Sequence, residues 1–347
     1  MNLTTQSATP MAAQHKLEPG DRFPDFGLPD QAGTVRSLYQ RARGSGTAIF
    51  VDSDDPLRAA LRSAAEAYKA ARLDSMIVDD RARDADSVSL ADPSGRFRQG
   101  LRGMIGHPSG PTGPRPLAIL LDRNQRILAV SAEGDLVGWA LARWSEQPPP
   151  AAGEIRQVAP VLTVPNVLSP ADCRALIARW HKEGHEAGSI MSMVNGKMVE
   201  RLDDGVKKRR DHLLSDAAVR KPLMAMVARR LGPEVNKAFC FGGFRFDRTL
   251  IACYDSDRGD HFRPHRDNTT PATAGRRFAL TLNLNSDEYE GGELMFPEYG
   301  DYRYKPATGA AVVFACSLLH EALPVTRGQR FALLSFLLDL TDANAER

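Results

Sequence analysis

The chain has 347 residues, which is long enough for two domains, and 42% of them are hydrophobic, as in ordinary globular proteins. Its formal net charge is +2, a mild basic balance that does not require a nucleic-acid partner. No run of about eighteen apolar residues occurs, so we expect no membrane span.

The compartment is indicated by two further features. The first sixteen residues are polar and mixed and lack the apolar stretch of a secretion signal. The cysteines form no Cys-x-x-Cys pair, so neither a zinc site nor a disulfide framework is indicated, and reduced thiols fit best. We therefore predict a cytoplasmic protein with a disordered tail over residues 1–16.

The segment 17–146 alternates strand and helix patterns. Residues 47–52 predict a buried strand, and the alanine-rich segment 58–72 predicts a helix. Further strands are predicted over residues 75–78, 117–122 and 126–130, and a closing helix over residues 136–144. This alternation predicts an α/β sandwich of thioredoxin type.

A proline-rich linker over residues 147–154 contains three consecutive prolines and divides the chain. The second domain is predicted over residues 155–342. It opens with a helix for which Ser169 is the predicted N-cap and Pro170 the first helical residue. Another helix is expected around residues 213–231, and the rest is rich in strands. Eight or so strands in two facing sheets predict a double-stranded β-helix, or jelly-roll.

Four residues near the end of the chain point to chemistry. His265 and Asp267 are two residues apart, so in an extended segment their side chains lie on the same face. Several strands can return His320 to the same place. Two histidines and one carboxylate are a set that binds ferrous iron on one face and leaves the opposite positions open. Arg330, ten residues after His320, can grip a carboxylate through its planar guanidinium.

Residues 254–268, 280–297 and 309–330 carry a family resemblance. They contain, in order, a strand tyrosine, His-x-Asp, Leu-Asn, Gly-Gly-Glu-Leu-x-Phe-Pro, and a histidine followed ten residues later by a basic residue. This ordered pattern resembles the iron(II)- and 2-oxoglutarate-dependent dioxygenases of the prolyl 4-hydroxylase-like type.

The resemblance implies a set of roles. It implies that His265, Asp267 and His320 bind Fe(2+) and that Arg330 pairs with the far carboxylate of 2-oxoglutarate. It also implies that the Tyr254 hydroxyl contacts 2-oxoglutarate, and Asn283 is expected to face the same site. The implied reaction uses O2 to hydroxylate an unactivated C–H bond of a peptidyl residue, an amino acid or a small metabolite. Succinate and CO2 are released, and L-ascorbate is the expected reductant.

The first domain resembles another family. Residues 20–38, 89–97 and 118–127 resemble segments of peroxiredoxins, which need a cysteine at the start of their first long helix. The corresponding stretch here, residues 52–57, has none, and the first cysteine of the chain is Cys173. We therefore predict a thioredoxin-like domain without an active cysteine, which serves substrate recognition, homodimerisation or both.

Two other functions remain open at this stage. The protein is alternatively a catalytically idle scaffold that uses both domains for partner contacts, although the intact motif argues against this. A metal-dependent enzyme of the same barrel that does without 2-oxoglutarate is disfavoured by Arg330. The basic run at residues 207–210 fits a nucleic acid or an anionic substrate, but the favoured interpretation is a solvated turn. Nucleic-acid binding is therefore not expected.

Overall fold

The computed structural model describes residues 16–42, 44–83, 88–107, 114–149, 152–194 and 197–340. The chain forms two compact units that divide between residues 151 and 152. This division falls within the predicted linker. All but the last residue of the predicted tail lies outside the described residues. No helix within the described ranges is long and apolar enough to cross a membrane.

A five-stranded mixed sheet organises the first unit. Its order is β5-β4-β3-β6-β7, in which β3, β4 and β5 run parallel and β6 and β7 are antiparallel to their neighbours. The elements are β1 (Gly27–Pro29), β2 (Val35–Ser37), α1 (Leu38–Arg41), β3 (Gly46–Val51), α2 (Asp55–Ala71), β4 (Leu73–Asp79), β5 (Val88–Ala91), α3 (Arg96–Ile105), β6 (Leu117–Leu121), β7 (Ile127–Ser131) and α4 (Leu136–Ser145).

Helices cover both faces of this sheet. Alternate residues of β3 point to opposite sides, so Ile49 packs with residues of α1 and α3, whereas Phe50 packs with residues of α2 and α4. The N-terminus of α2 is capped by Asp54, whose carboxylate accepts a hydrogen bond from the Leu57 amide. Two apolar layers on a central sheet confirm the predicted α/β sandwich.

The second unit contains two larger sheets and two small antiparallel pairs. Its strands are β8 (Leu162–Val164), β9 (Glu186–Ala187), β10 (Ile190–Val194), β11 (Lys197–Arg201), β12 (Lys207–Lys208), β13 (Arg210–Leu213), β14 (Phe244–Asp255), β15 (His261–His265), β16 (Arg276–Asn283), β17 (Glu290–Gly291), β18 (Leu294–Met295), β19 (Arg303–Tyr304), β20 (Ala311–Ala315), β21 (His320–Ala322), β22 (Val325–Arg327) and β23 (Gln329–Asp339). Its helices are α5 (Pro170–Glu183) and α6 (Ala217–Phe239), with short 3-10 turns at Ser256–Arg258, Pro271–Thr273, Ser286–Glu288 and Pro297–Tyr299.

The two larger sheets face each other. One has the order β8-β20-β16-β23-β14-β13-β9 and the other the order β12-β15-β21-β18-β19. Phe314 of the first sheet packs against Phe296, next to the second sheet, with ring centroids 5.0 Å apart. The outer face of the seven-stranded sheet packs against α5 and α6 through residues such as Ile251 and Leu333. This arrangement is the predicted jelly-roll.

Local signals in the second unit were partly predictable. Ser169 caps α5, as expected, and it also forms a reciprocal capping box with Asp172. The helix expected at residues 213–231 was placed too early, because β13 occupies residues 210–213 and Asp216 caps α6. β10 and β11 pair antiparallel, and the two residues between them, Asn195 and Gly196, lie outside the described residues.

The interpretation of residues 207–210 as a solvated turn is wrong. They belong to β12, β13 and the residue between them, and the Lys207 and Arg209 side chains are buried. The burial of both cations is possible because Asp211 lies between them, 2.8 Å from Arg209 and 3.4 Å from the Lys207 ammonium.

Candidate metal centre

Three potential ligands converge inside the jelly-roll. One ligand atom each from His265, Asp267 and His320 lies within 4.8 Å of the other two. The Asp267 carboxylate is 3.5 Å from His265 Nε2 and 3.4 Å from His320 Nε2. Within the part of the chain that the structure describes, no other group of this kind is found.

Strand register brings these residues together. His265 is the last residue of β15 and His320 is the first of β21, and the two pair directly across antiparallel strands. Asp267 follows His265 by two residues, and its amide donates a 2.9 Å hydrogen bond to the Cys316 carbonyl. The expectation that several strands return the chain to the same place is met by this pairing.

Each histidine ring is oriented by a backbone carbonyl. Nδ1 of His265 lies 2.8 Å from the Arg263 oxygen, and Nδ1 of His320 lies 3.0 Å from the Leu318 oxygen. A carbonyl only accepts hydrogen bonds, so each Nδ1 carries the proton and each Nε2 presents its lone pair to the centre. Phe262 stacks on the His265 ring at a centroid distance of 3.4 Å and further restricts it.

The electrostatics favour a metal-ready state. Burial lowers the pKa of His320 to about 4, so its imidazole is neutral at physiological pH. Burial alone would raise the pKa of Asp267, but the electrostatic influence of the neighbouring His265 and His320 rings outweighs it and holds that pKa below its usual value. A neutral imidazole and an ionised carboxylate are the forms that bind a metal.

A buried arginine faces the same cavity. Arg330 lies opposite Tyr254 in the β14–β23 pair, and only 2% of it is exposed. One of its terminal nitrogens donates a 3.4 Å hydrogen bond to Asn283 Oδ1, while its buried Nε has no partner among the described residues. No carboxylate of the described residues forms an ion pair with it. A buried cation of this kind requires an anion, and a dicarboxylate co-substrate would supply one.

The two remaining predicted residues have different positions. Tyr254 lines the cavity, and its hydroxyl accepts a 2.7 Å hydrogen bond from Arg209. Asn283 does not lie among the described residues that line the cavity. Its side chain is buried and bonds to Arg330, Ser286 and the Tyr289 hydroxyl. Asn283 therefore orients the Arg330 side chain from outside the cavity lining.

Sequence reasoning missed the residues that support Tyr254. Arg209 is held by Asp211, and Lys207 donates a 2.9 Å hydrogen bond to the Ser189 carbonyl. Burial lowers the pKa of Lys207 to about 7, whereas Asp211, despite its burial, has a lowered pKa because of Arg209 and Lys207. The sequence feature that could have identified this cluster is the alternation of charged residues at positions 207, 209 and 211. In an extended chain these three side chains share one face.

The family comparison agrees with this geometry. Residues 249–338 match the model of the 2OG-Fe(II) oxygenase superfamily. A PKHD-type hydroxylase of Caulobacter vibrioides is 29% identical over 200 residues, which cover 54% of this chain and 82% of that protein. The second unit therefore carries an iron(II)- and 2-oxoglutarate-dependent oxygenase domain. These similarities confirm the enzyme class predicted from the sequence, an iron(II)- and 2-oxoglutarate-dependent oxygenase.

Two solved structures are also similar to parts of the chain. A prolyl-4-hydroxylase of Pseudomonas putida is 22% identical with a TM-score of 0.41, and the match covers 52% of this chain and 93% of that protein. A thiol:disulfide interchange protein DsbE from Chlorobium tepidum is 22% identical with a TM-score of 0.27, and that match covers 34% of this chain and 86% of the other.

Proposed function

We propose that His265, Asp267 and His320 hold Fe(2+) and that Arg330 and Tyr254 bind 2-oxoglutarate, in an enzyme that hydroxylates an unactivated C–H bond. The observation that carries this proposal is the buried guanidinium of Arg330, which shares one cavity with the three ligands and lacks an anionic partner among the described residues. Bound iron and 2-oxoglutarate supply O2 activation, with succinate and CO2 as co-products.

The protein's contribution is to position these groups. The two imidazoles are fixed by their Nδ1 hydrogen bonds, so they enter the centre without a change of tautomer. Together with Asp267 they would hold Fe(2+), and a set of three protein ligands would leave coordination positions for other ligands. Phe262, Phe314 and other apolar side chains line the cavity and keep water away from these polar groups.

Tyr254 and Arg330 act together at the far end of the cavity. The Tyr254 hydroxyl accepts from Arg209, which leaves its own proton free to be donated to a carboxylate oxygen. The Arg330 guanidinium would pair with the same carboxylate through charge-assisted hydrogen bonds. Asn283, which was expected to face the site, acts in this proposal as a positioning residue for Arg330.

The first unit is proposed to be a thioredoxin-type domain that performs no thiol chemistry. Asp52 stands at the end of β3, next to the position where a peroxiredoxin would carry its cysteine. Its carboxylate pairs with Arg98 and, at 2.9 Å, with Arg102. These buried ion pairs support a structural role at this position. A scaffold for substrate recognition or homodimerisation, a cytoplasmic location and a requirement for L-ascorbate stay predictions.

The test is the conversion of 2-oxoglutarate to succinate by the full chain, with and without Fe(2+). We expect iron-dependent succinate formation that the Asp267→Ala variant loses. His261→Asn is the matched control, because His261 lies on the same strand as His265 but outside the cluster. Full activity in the Asp267→Ala protein would show that the ligand assignment is wrong.

A further inference from the structure

We infer that Arg248, together with a groove beside it, binds an acidic segment of a peptide substrate whose hydroxylated residue enters the cavity. This inference rests on the proposed function and adds a substrate class to it. Arg248 was not among the site residues predicted from the sequence.

Arg248 lies in a β-bulge. The register between β14 and β23 shifts between Asp247 and Leu250, so Arg248 and Thr249 together lie opposite the single residue Ser335. The backbone φ of Arg248 is +30°, in a region that costs a non-glycine residue about 1–3 kcal/mol. Bulges of this kind re-aim side chains and are common beside active sites.

The bulge also explains why Arg248 reaches two places. Phe244 and Phe246 pack on the outer face of the sheet before the bulge, whereas Ile251 and Cys253 do so after it. Even-numbered residues of β14 therefore face outward before the bulge, and odd-numbered residues face outward after it. Arg248 stands at this change, and its side chain lines both the cavity and an open groove that also borders α6.

Arg248 is the spare cation of the cavity wall. Among the described residues, three arginines line the cavity, and Arg209 is neutralised by Asp211. Arg330 is assigned to the co-substrate. Arg248 forms no hydrogen bond or ion pair with any of the described residues, although its charge also acts on the Asp211 carboxylate, and it is exposed. Asp267 is the sole carboxylate among the described residues of the lining, and it belongs to the metal centre.

The groove extends this positive charge away from the cavity. It has a volume of about 470 Å³, and Arg220, Lys221 and Arg248 contribute cations to its walls. Its one described carboxylate, Asp247, is already paired with Arg276 at 3.0 Å. Phe244, Phe246 and Met224 provide an apolar surface.

This combination selects a peptide over a small metabolite. A single carboxylate on a metabolite would need only Arg248, whereas the array continues onto α6. An extended chain with acidic side chains matches several separated cations along an apolar floor. A nucleic acid fits less well, because Phe244 and Phe246 pack against each other and the core, with centroids 5.3 Å apart, rather than standing free to stack on bases.

The experiment uses two labelled peptides, Glu-Glu-Ala-Pro-Ala-Glu-Glu and its counterpart with glutamine at all four acidic positions. Binding to the full chain, loaded with Fe(2+) and 2-oxoglutarate under nitrogen, is measured by fluorescence anisotropy at low and high salt. The variants are Arg248→Gln, Arg248→Lys and Lys221→Gln. Arg245→Gln is the matched control, because Arg245 lies on β14 near Arg248 but lines neither the cavity nor the groove.

We expect the wild type to prefer the acidic peptide, and we expect salt to weaken that preference. Arg248→Gln should reduce the preference about five-fold, the upper range for one exposed ion pair. Arg248→Lys should keep most of it, Lys221→Gln should lose part of it, and Arg245→Gln should keep all of it. The inference is overturned if both peptides bind equally, if neither binds, if Arg248→Gln keeps the full preference, or if the oligonucleotide dT8 displaces the acidic peptide at lower concentration than the unlabelled peptide does.

The proposed function is judged separately in the same samples. Formation of the iron and 2-oxoglutarate chelate is followed by its visible absorption before peptide is added. If the protein forms the chelate but binds both peptides equally, only the acidic-peptide inference is wrong. If the protein forms no chelate, the proposed function is wrong as well.

Discussion

Replacing Arg330 with glutamine tests the co-substrate site in a quantitative way. Arg330 is 2% exposed and faces a cavity in which no described carboxylate neutralises it. Two charge-assisted hydrogen bonds to a carboxylate contribute about 1.5–3 kcal/mol each. Their loss should therefore weaken 2-oxoglutarate binding by about 3–6 kcal/mol, or about 10²- to 10⁴-fold. Arg330→Lys keeps the charge but not the paired geometry, so its loss should be smaller.

The assay is the KM for 2-oxoglutarate in succinate formation, together with the Kd from anaerobic titration. Because Asn283 Oδ1 accepts from Arg330, the Asn283→Ala variant should raise the KM less than Arg330→Gln and act through the same ligand. Circular dichroism checks that each variant is folded. If Arg330→Gln bound 2-oxoglutarate within about three-fold of the wild type, the reasoning from a buried unpaired cation would fail.

Three further predictions concern stability, each measured by urea denaturation. Asp52→Ala should cost about 3 kcal/mol, because it leaves the buried Arg102 unpaired. Gly309→Ala should cost at least about 2 kcal/mol, because φ is +79° and the new Cβ would collide with the Leu168 carbonyl. The pKa of Lys207 is lowered to about 7, so between pH 7 and 10.5 the unfolded chain binds more protons than the folded one and stability rises with pH. Lys207→Met should remove about 2 kcal/mol of the rise between pH 7 and 9. These assignments would be contradicted if the unfolding free energy of Lys207→Met rose with pH as in the wild type. They would also be contradicted if Asp52→Ala or Gly309→Ala were as stable as the wild type.

Local sequence signals were sufficient for much of the fold and of the metal centre. Ser169 and Pro170 correctly predicted the start of α5. The convergence of His265 with His320 followed from an ordered motif rather than from spacing alone. These features depend on a few residues close together in the chain, which is why they could be read in advance.

Features that depend on tertiary neighbours were not predicted. Four consecutive basic residues looked solvated, because only the folded structure places Asp211 between Lys207 and Arg209. The bulge at Arg248 changes the register by an insertion that no single residue type marks. The sequence reflects the bulge only in the odd spacing between the outward-facing residues Phe246 and Ile251. This spacing can be interpreted only once the outer face of the sheet is known.

The measurement that tests the central claim most directly is an anaerobic titration of the full chain with Fe(2+) and 2-oxoglutarate, followed by visible absorption. We predict a weak charge-transfer band that saturates with 2-oxoglutarate in the wild type and is lost in Asp267→Ala. Absence of the band in the wild type, or an unchanged band in Asp267→Ala, would contradict a metal centre built from His265, Asp267 and His320.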